Sequence, residues 1–126
     1  MNITKLASQL VERGQTLATV ESCTGGGIAA HCTDLAGSSA WFDRAFITYS
    51  NEAKEQMVNV NRETLEQFGA VSEQVVKEMV MGALKNSSAS IGVAISGIAG
   101  PTGGTDEKPV GTVWIAWGHK DNIKTQ

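Results

Sequence analysis

Histidine and cysteine each occur only twice in the 126 residues, and each scarcity removes a class of protein. Two cysteines do not make a disulfide framework of the secreted kind. Cys23, in a glycine-rich turn, and Cys32, in the segment that follows, are expected to be reduced thiols. The histidines, His31 and His119, stand apart from other candidate ligands, so no metal is expected and no Ser-His-Asp motif is visible. Lys and Arg total 10 against 13 Asp and Glu, a net charge of −3 without any basic cluster. Nucleic acid, whose phosphates need a cationic face, is therefore not expected as a partner. No apolar run is long enough to span a bilayer and no basic-then-apolar signal opens the chain, so a soluble, cytoplasmic protein with no membrane partner is expected. With 41% hydrophobic residues and 18% charged ones, the chain suits one domain with a real core, though it is short for an α/β fold with several crossovers.

Glycine, by contrast, is plentiful, and its placement organises the chain. Leu17 to Val20 is apolar and rich in β-branched residues. It gives way at Glu21-Ser22-Cys23-Thr24-Gly25-Gly26-Gly27 to a polar, glycine-rich segment, after which Ile28-Ala29-Ala30-His31-Cys32 suits a helix. The pattern predicts strand, tight turn, helix. Backbone N–H groups at such a helix start lack intrahelical partners, and the helix dipole adds partial positive charge, which suits an anion: a substrate phosphate, or the oxyanion formed when Ser22 or Cys23 attacks a carbonyl. The alternative is that the glycines only permit a sharp turn. The spacing is neither that of a Walker A loop nor that of a dinucleotide fingerprint.

Along the chain, Met1 to Arg13 has the apolar spacing of a helix stopped at Gly14, and Ala45 to Tyr49 reads as a second strand. Trp41 and Phe42 read as packing residues, while an exposed aromatic pair there would also suit a subunit interface. Ser50 stands as an N-cap, which puts Lys54 in the first turn of a helix. Burial at that end would push its pKa down; a solvated surface lysine is the alternative. Asn61 to Phe68 and a longer helix capped by Ser72 follow, the latter with an apolar stripe through Val75, Val76, Met79, Val80, Ala83 and Leu84, and with Met79 and Met81 as core or near-core filler. Ser90 to Ile95 is apolar as buried parallel strands are, and Gly111 to Trp117 alternates as a fourth strand. The chain after Gly118 is polar.

Ser96-Gly97-Ile98-Ala99-Gly100-Pro101-Thr102-Gly103-Gly104 repeats the logic of the first motif: a hydroxyl at the carboxyl end of a strand, then glycines. Ligands of open α/β sheets bind beyond the strand ends where strand order reverses, so Ser22 and Ser96 read as opposite walls of one pocket. A mobile hairpin-like loop is the alternative. The alternating elements predict a three-layer α/β/α sandwich with a mostly parallel sheet, and Gly111 to Trp117 is placed to form an antiparallel edge.

Six blocks then carry a resemblance: Glu21-Ser22-Cys23-Thr24-Gly25-Gly26, Gly37-Ser38-Ser39-Ala40-Trp41-Phe42, Thr48-Tyr49-Ser50-Asn51-Glu52-Ala53-Lys54, Gly69-Ala70-Val71-Ser72-Glu73, Ser96-Gly97-Ile98-Ala99-Gly100-Pro101 and Lys108-Pro109-Val110-Gly111-Thr112-Val113-Trp114. In this order, from Leu17 to Trp117, the chain resembles the CinA C-terminal domain family, the nicotinamide mononucleotide (NMN) deamidases. The resemblance implies an enzyme that hydrolyses the NMN carboxamide to nicotinic acid mononucleotide and ammonia in pyridine nucleotide salvage, without a cofactor. It implies a homodimer or higher homo-oligomer, and a single domain over residues 1–126 that lacks the family's last strand and helix. Matched position by position, the reactive serine is Ser22, the tyrosine Tyr49, the lysine Lys54 and the second hydroxyl Ser96, where many members carry Thr.

The mechanism expected from these residues is of the serine–lysine type. Lys54 takes the Ser22 proton, and Ser22 attacks the carboxamide. N–H groups around Thr24, Gly25 and Gly26 hold the oxyanion, Tyr49 relays a proton as ammonia leaves, and Ser96 orients the amide. Gly97, Gly100 and Gly103 are candidates for phosphate contact. Cys23 as nucleophile is a second reading. A non-catalytic nucleotide-binding or protein-interaction module is a third.

Overall fold

The structure is a computed structural model and describes residues 2–126. Helix α1 (Ile3–Glu12) starts at Asn2, whose side chain accepts from the Lys5 N–H, and ends before Gly14, which takes the left-handed φ of 63° that stops it. Strand β1 (Leu17–Glu21) leads through the glycine turn into α2 (Gly27–Thr33), and β2 (Phe42–Ile47) follows a short 3-10 turn at Ser38–Ala40. Three helices come next, α3 (Asn51–Val58), α4 (Arg62–Phe68) and α5 (Glu73–Lys85), the first and last capped by Ser50 and Ser72. The chain closes with β3 (Ile91–Gly97), β4 (Val113–His119) and β5 (Asn122–Thr125).

The five strands form one sheet in the order β2-β1-β3-β4-β5. β1 is parallel to both of its neighbours, and β4 and β5 are antiparallel. Helices cover both faces, as the alternating sequence pattern predicts, and the antiparallel part begins at the strand placed near Gly111 to Trp117. From β1 the chain goes one way through α2 to β2, then crosses over β1 through α3, α4 and α5 to β3 on the other side. The order therefore reverses between β1 and β3, the kind of point beyond whose strand ends open α/β sheets bind ligands.

Two apolar layers flank the sheet. The larger joins Val75, Val76, Met79, Val80 and Ala83 of α5 to Val20, Val58, Ala94 and Ala116. Each fully buried aliphatic side chain there contributes about 1.5–3 kcal/mol. The smaller joins α1 and α2 to the other face through Leu10, Leu17, Cys32 and Trp41. Gly82 matters to the first layer because a Cβ there would overlap the Val58 carbonyl, so only glycine lets α5 cross the end of α3 this closely.

Trp41 is 2% exposed and meets Phe42 edge to face, so the indole packs in the smaller core as read from the sequence and is not free for a subunit interface. The structure departs from the sequence reading in three places. Met81 points out of the α5 stripe and is 41% exposed. β2 begins at Phe42 and stops at Ile47, leaving Thr48 and Tyr49 beyond the strand. The polar tail forms β5, because pairing with β4 supplies the hydrogen bonds that four weakly patterned residues could not organise alone.

Candidate active site

Strand register builds the site. Glu21 pairs with Ile47 on one side and Ile95 on the other, so the next position along places Ser22 between Thr48 and Ser96. The backbone bonds continue that register: the Ser22 N–H donates to the Ile95 carbonyl at 3.0 Å and the Thr48 N–H to the Glu21 carbonyl at 2.8 Å. Side chains alternate, and Val20 and Ala94 face α5, so Ser22 and Ser96 face it too. Adjacent strands lie about 4.8 Å apart, which makes these hydroxyls lateral neighbours. All three residues of the row are buried.

Lys54 completes the arrangement from α3. Its side chain is buried, with the residue 1% exposed, which settles the choice between a buried and a solvated lysine. Its Nζ lies 3.0 Å from Ser22 Oγ, 2.8 Å from the Thr48 carbonyl and 3.2 Å from the Tyr49 carbonyl. Burial lowers its pKa to about 8, against a smaller opposing effect of the nearby Cys23. The two carbonyls accept two N–H donors, so a neutral amine keeps its lone pair for the Ser22 hydroxyl.

Glu21, which the sequence reading left without a role, fills the place expected for an anion. Its buried carboxylate accepts from the backbone N–H groups of Gly26 at 3.2 Å, Ile28 at 3.0 Å and Ala29 at 2.9 Å. Thr24 and Thr19 add hydroxyl donors at 2.7 and 3.2 Å. Burial alone would push this carboxyl up, but the bonds from Thr24, Ile28, Ala29 and Thr19 outweigh it and hold the pKa below the usual carboxylate value. The Gly25 and Gly27 N–H groups are also engaged, by the Ser22 and Thr24 carbonyls. The cradle expected at Thr24 to Gly26 is thus narrowed: Gly25 and Gly26 have spent their donors inside the chain, while the N–H groups of Cys23 and Thr24 have no acceptor among the described residues.

The other expected residues divide. Tyr49 enters through its backbone carbonyl, which also lies 3.4 Å from Ser22 Oγ, whereas the residue as a whole is 70% exposed. Gly97 brings the end of β3 against the Ser22–Gly25 turn, since a Cβ there would stand 3.1 Å from Cys23 Sγ and 2.9 Å from a Val113 methyl. Gly100 and Gly103 lie with positive φ in the hairpin connection between antiparallel β3 and β4. That loop is tied at its base by Ile98 and Thr112 and at its far side by the Lys108 ammonium, which donates to the Phe68 carbonyl at 2.6 Å. Cys23 and Cys32 are free thiols, and burial together with Glu21 pushes Cys32 up. His31 is exposed on α2, and His119 ends β4 at the pole opposite Ser22.

Thr48 and Glu21 were both missed from sequence. A carboxylate at a strand end, six residues before a helix begins, was a readable signal for Glu21. Thr48 had none, because its place depends on register with β1.

Comparison with known proteins identifies the family. The CinA C-terminal domain profile matches residues 2–126. The nicotinamide-nucleotide amidohydrolase PncC of Escherichia coli K12 is 62% identical over 113 residues, covering 90% of this chain and 68% of that protein. PncC of Enterobacter agglomerans is 56% identical over 117 residues, covering 93% of this chain and 71% of its own. The crystal structure of the competence/damage inducible protein CihA from Agrobacterium tumefaciens superposes with a TM-score of 0.96 at 46% identity, over 98% of this chain and 76% of that one. A profile that spans all the described residues, with relatives this similar, makes the chain a member of the CinA C-terminal domain family.

Proposed function

We propose that this chain is an amidohydrolase that converts NMN to nicotinic acid mononucleotide and ammonia, with Ser22 as nucleophile and Lys54 as its base. The observation that carries the reading is the buried Lys54 Nζ standing 3.0 Å from Ser22 Oγ with its pKa lowered to about 8. The names of the PncC relatives support the substrate.

Lys54 takes the hydroxyl proton as Ser22 Oγ bonds to the carboxamide carbon, and the carbonyl oxygen becomes an oxyanion held by the free N–H groups of Cys23 and Thr24. The tetrahedral intermediate collapses, the C–N bond breaks, and Lys54 returns its proton to the departing nitrogen, giving ammonia and an ester on Ser22. Water then attacks that ester with Lys54 again as base, releasing the carboxylic acid product and restoring the serine. The pyridinium nitrogen draws electrons from the carboxamide, so this modest nucleophile suffices.

Ser96, beside Ser22 by register, orients the amide. Tyr49 contributes its carbonyl to Lys54 and its ring to the rim, and the loop with Gly97, Gly100 and Gly103 is assigned to the phosphate. Ser22 is preferred to Cys23 because the lysine hydrogen-bonds to the hydroxyl. Residues 1–126 are read as one domain. A homodimer or higher homo-oligomer is part of the same reading, supported by the exposed Val113 and half-buried Ile115 and Trp117 on the β4 face turned away from α5. So is a cytoplasmic location in nucleotide salvage, supported by the absence of any described helix long and apolar enough to cross a membrane.

The test is ammonia and nicotinic acid mononucleotide release from NMN by the chain and by Lys54→Met. Turnover that falls at least about a thousandfold in the variant supports the base assignment. Turnover by neither protein, with NMN still bound, points to the binding-module alternative.

A further inference from the structure

The reaction leaves one buried ionised group of this site unused. Glu21 is wholly buried and forms no ion pair among the described residues. A carboxylate taken from water without a counter-charge persists only where donors surround it. Five do so here: three backbone N–H groups of Gly26, Ile28 and Ala29, and the hydroxyls of Thr19 and Thr24.

The order of these contacts along the chain gives them a consequence. Four of the donors belong to residues 24–29, so the carboxylate closes a loop that encloses Ser22 and Cys23. Inside that loop the Gly25 N–H donates to the Ser22 carbonyl at 3.0 Å, a tight turn in which Cys23 and Thr24 are the central residues. The N–H groups of those central residues are the ones left free. Without an internal anion, the first N–H groups of α2 would be orphaned and would take any acceptor within reach, including the substrate oxygen in the wrong place. Glu21 also fixes Thr24 at two points, through the hydroxyl at 2.7 Å and through the turn that follows it.

We propose that Glu21 is a positioning residue: its carboxylate satisfies the start of α2 from beneath and so holds the Ser22–Gly25 turn with the N–H groups of Cys23 and Thr24 directed to the oxygen that becomes negative. The inference rests on Ser22 being the nucleophile. Glu21 touches no reacting atom. Its effect belongs to the transition state, where the oxyanion forms, rather than to substrate binding.

Glu21→Gln tests this, since it keeps the size but turns an NH₂ toward N–H donors. In folded protein, verified by circular dichroism and a cooperative melt, kcat for NMN is expected to fall about 30-fold or more while KM changes less than about threefold. Thr24→Val removes one donor and keeps the shape; a fall in kcat of about three- to tenfold at unchanged KM is expected, and this variant decides the matter if Glu21→Gln does not fold. Full kcat in either folded variant overturns the proposal, as does a loss that lies in KM. Ser22→Ala is run beside them: if it retains turnover, the nucleophile assignment itself has failed, whereas an inert Ser22→Ala with fully active Glu21→Gln removes the positioning role alone.

Discussion

Lys54 Nζ and Ser22 Oγ lie 3.0 Å apart although they are 32 residues apart in sequence, one on α3 and the other just beyond β1. Two carbonyls, of Thr48 and Tyr49, fix the other side of the same nitrogen. The lysine is therefore held at one orientation toward the serine, and its protonation state governs what that contact can do.

Activity should follow the Lys54 titration. On the proposed mechanism the amine is the active form, and burial lowers its pKa to about 8, so kcat is expected to rise with pH and level off above about 8. A pH–rate profile on NMN measures this. Lys54→Arg should show no such rise and little activity, because a guanidinium stays charged throughout the range.

The same burial has a cost in stability. The folded pKa of Lys54 lies below its ordinary 10.5, so the unfolded chain binds the proton more tightly and stability gained from this residue rises as pH climbs from about 8 to 10.5. The full swing is on the order of 3 kcal/mol. Urea titrations at pH 7 and pH 10 on the chain and on Lys54→Met should differ in their pH dependence by that sign, with the variant relatively more stable at pH 7.

Glu21 acts in the same sense, at acid pH. Its folded pKa is lowered from 4.5, so the stability it contributes is present above about pH 4.5 and is lost as pH falls through the folded value. Acid unfolding monitored by circular dichroism should show this loss, and Glu21→Gln should begin less stable at pH 7 and depend less on pH below 4.5.

Gly82→Ala should destabilise the fold by roughly 1–3 kcal/mol even though alanine is the better helix former. The added methyl meets the Val58 carbonyl, which is backbone and has little room to yield. Because α3 carries both Val58 and Lys54, turnover should drop with stability. Urea denaturation and kcat on the same preparation test the pair of effects.

Much of this was legible before the fold was known. The change from β-branched residues to glycine after Val20 marks the strand–turn–helix, Ser50 and Ser72 mark two helix starts, and the stripe from Val75 to Ala83 marks the helix that covers the sheet. These are local signals, carried by residues close in sequence. What stayed illegible depends on pairing and packing between distant segments. Whether Lys54 was buried turned on which face of α3 meets the sheet, and the place of Thr48 beside Ser22 turned on parallel register. β5 has too few residues to declare itself without β4. Glu21 belongs to both classes, since its position hinted at the helix start but only the folded turn shows that it occupies the donors expected to face substrate.

The most direct measurement is release of ammonia and nicotinic acid mononucleotide from NMN by the chain, by Ser22→Ala and by Cys23→Ala. The account predicts that Ser22→Ala falls to background while Cys23→Ala keeps most of its turnover. Turnover that survives Ser22→Ala, or that disappears with Cys23→Ala in folded protein, would contradict it.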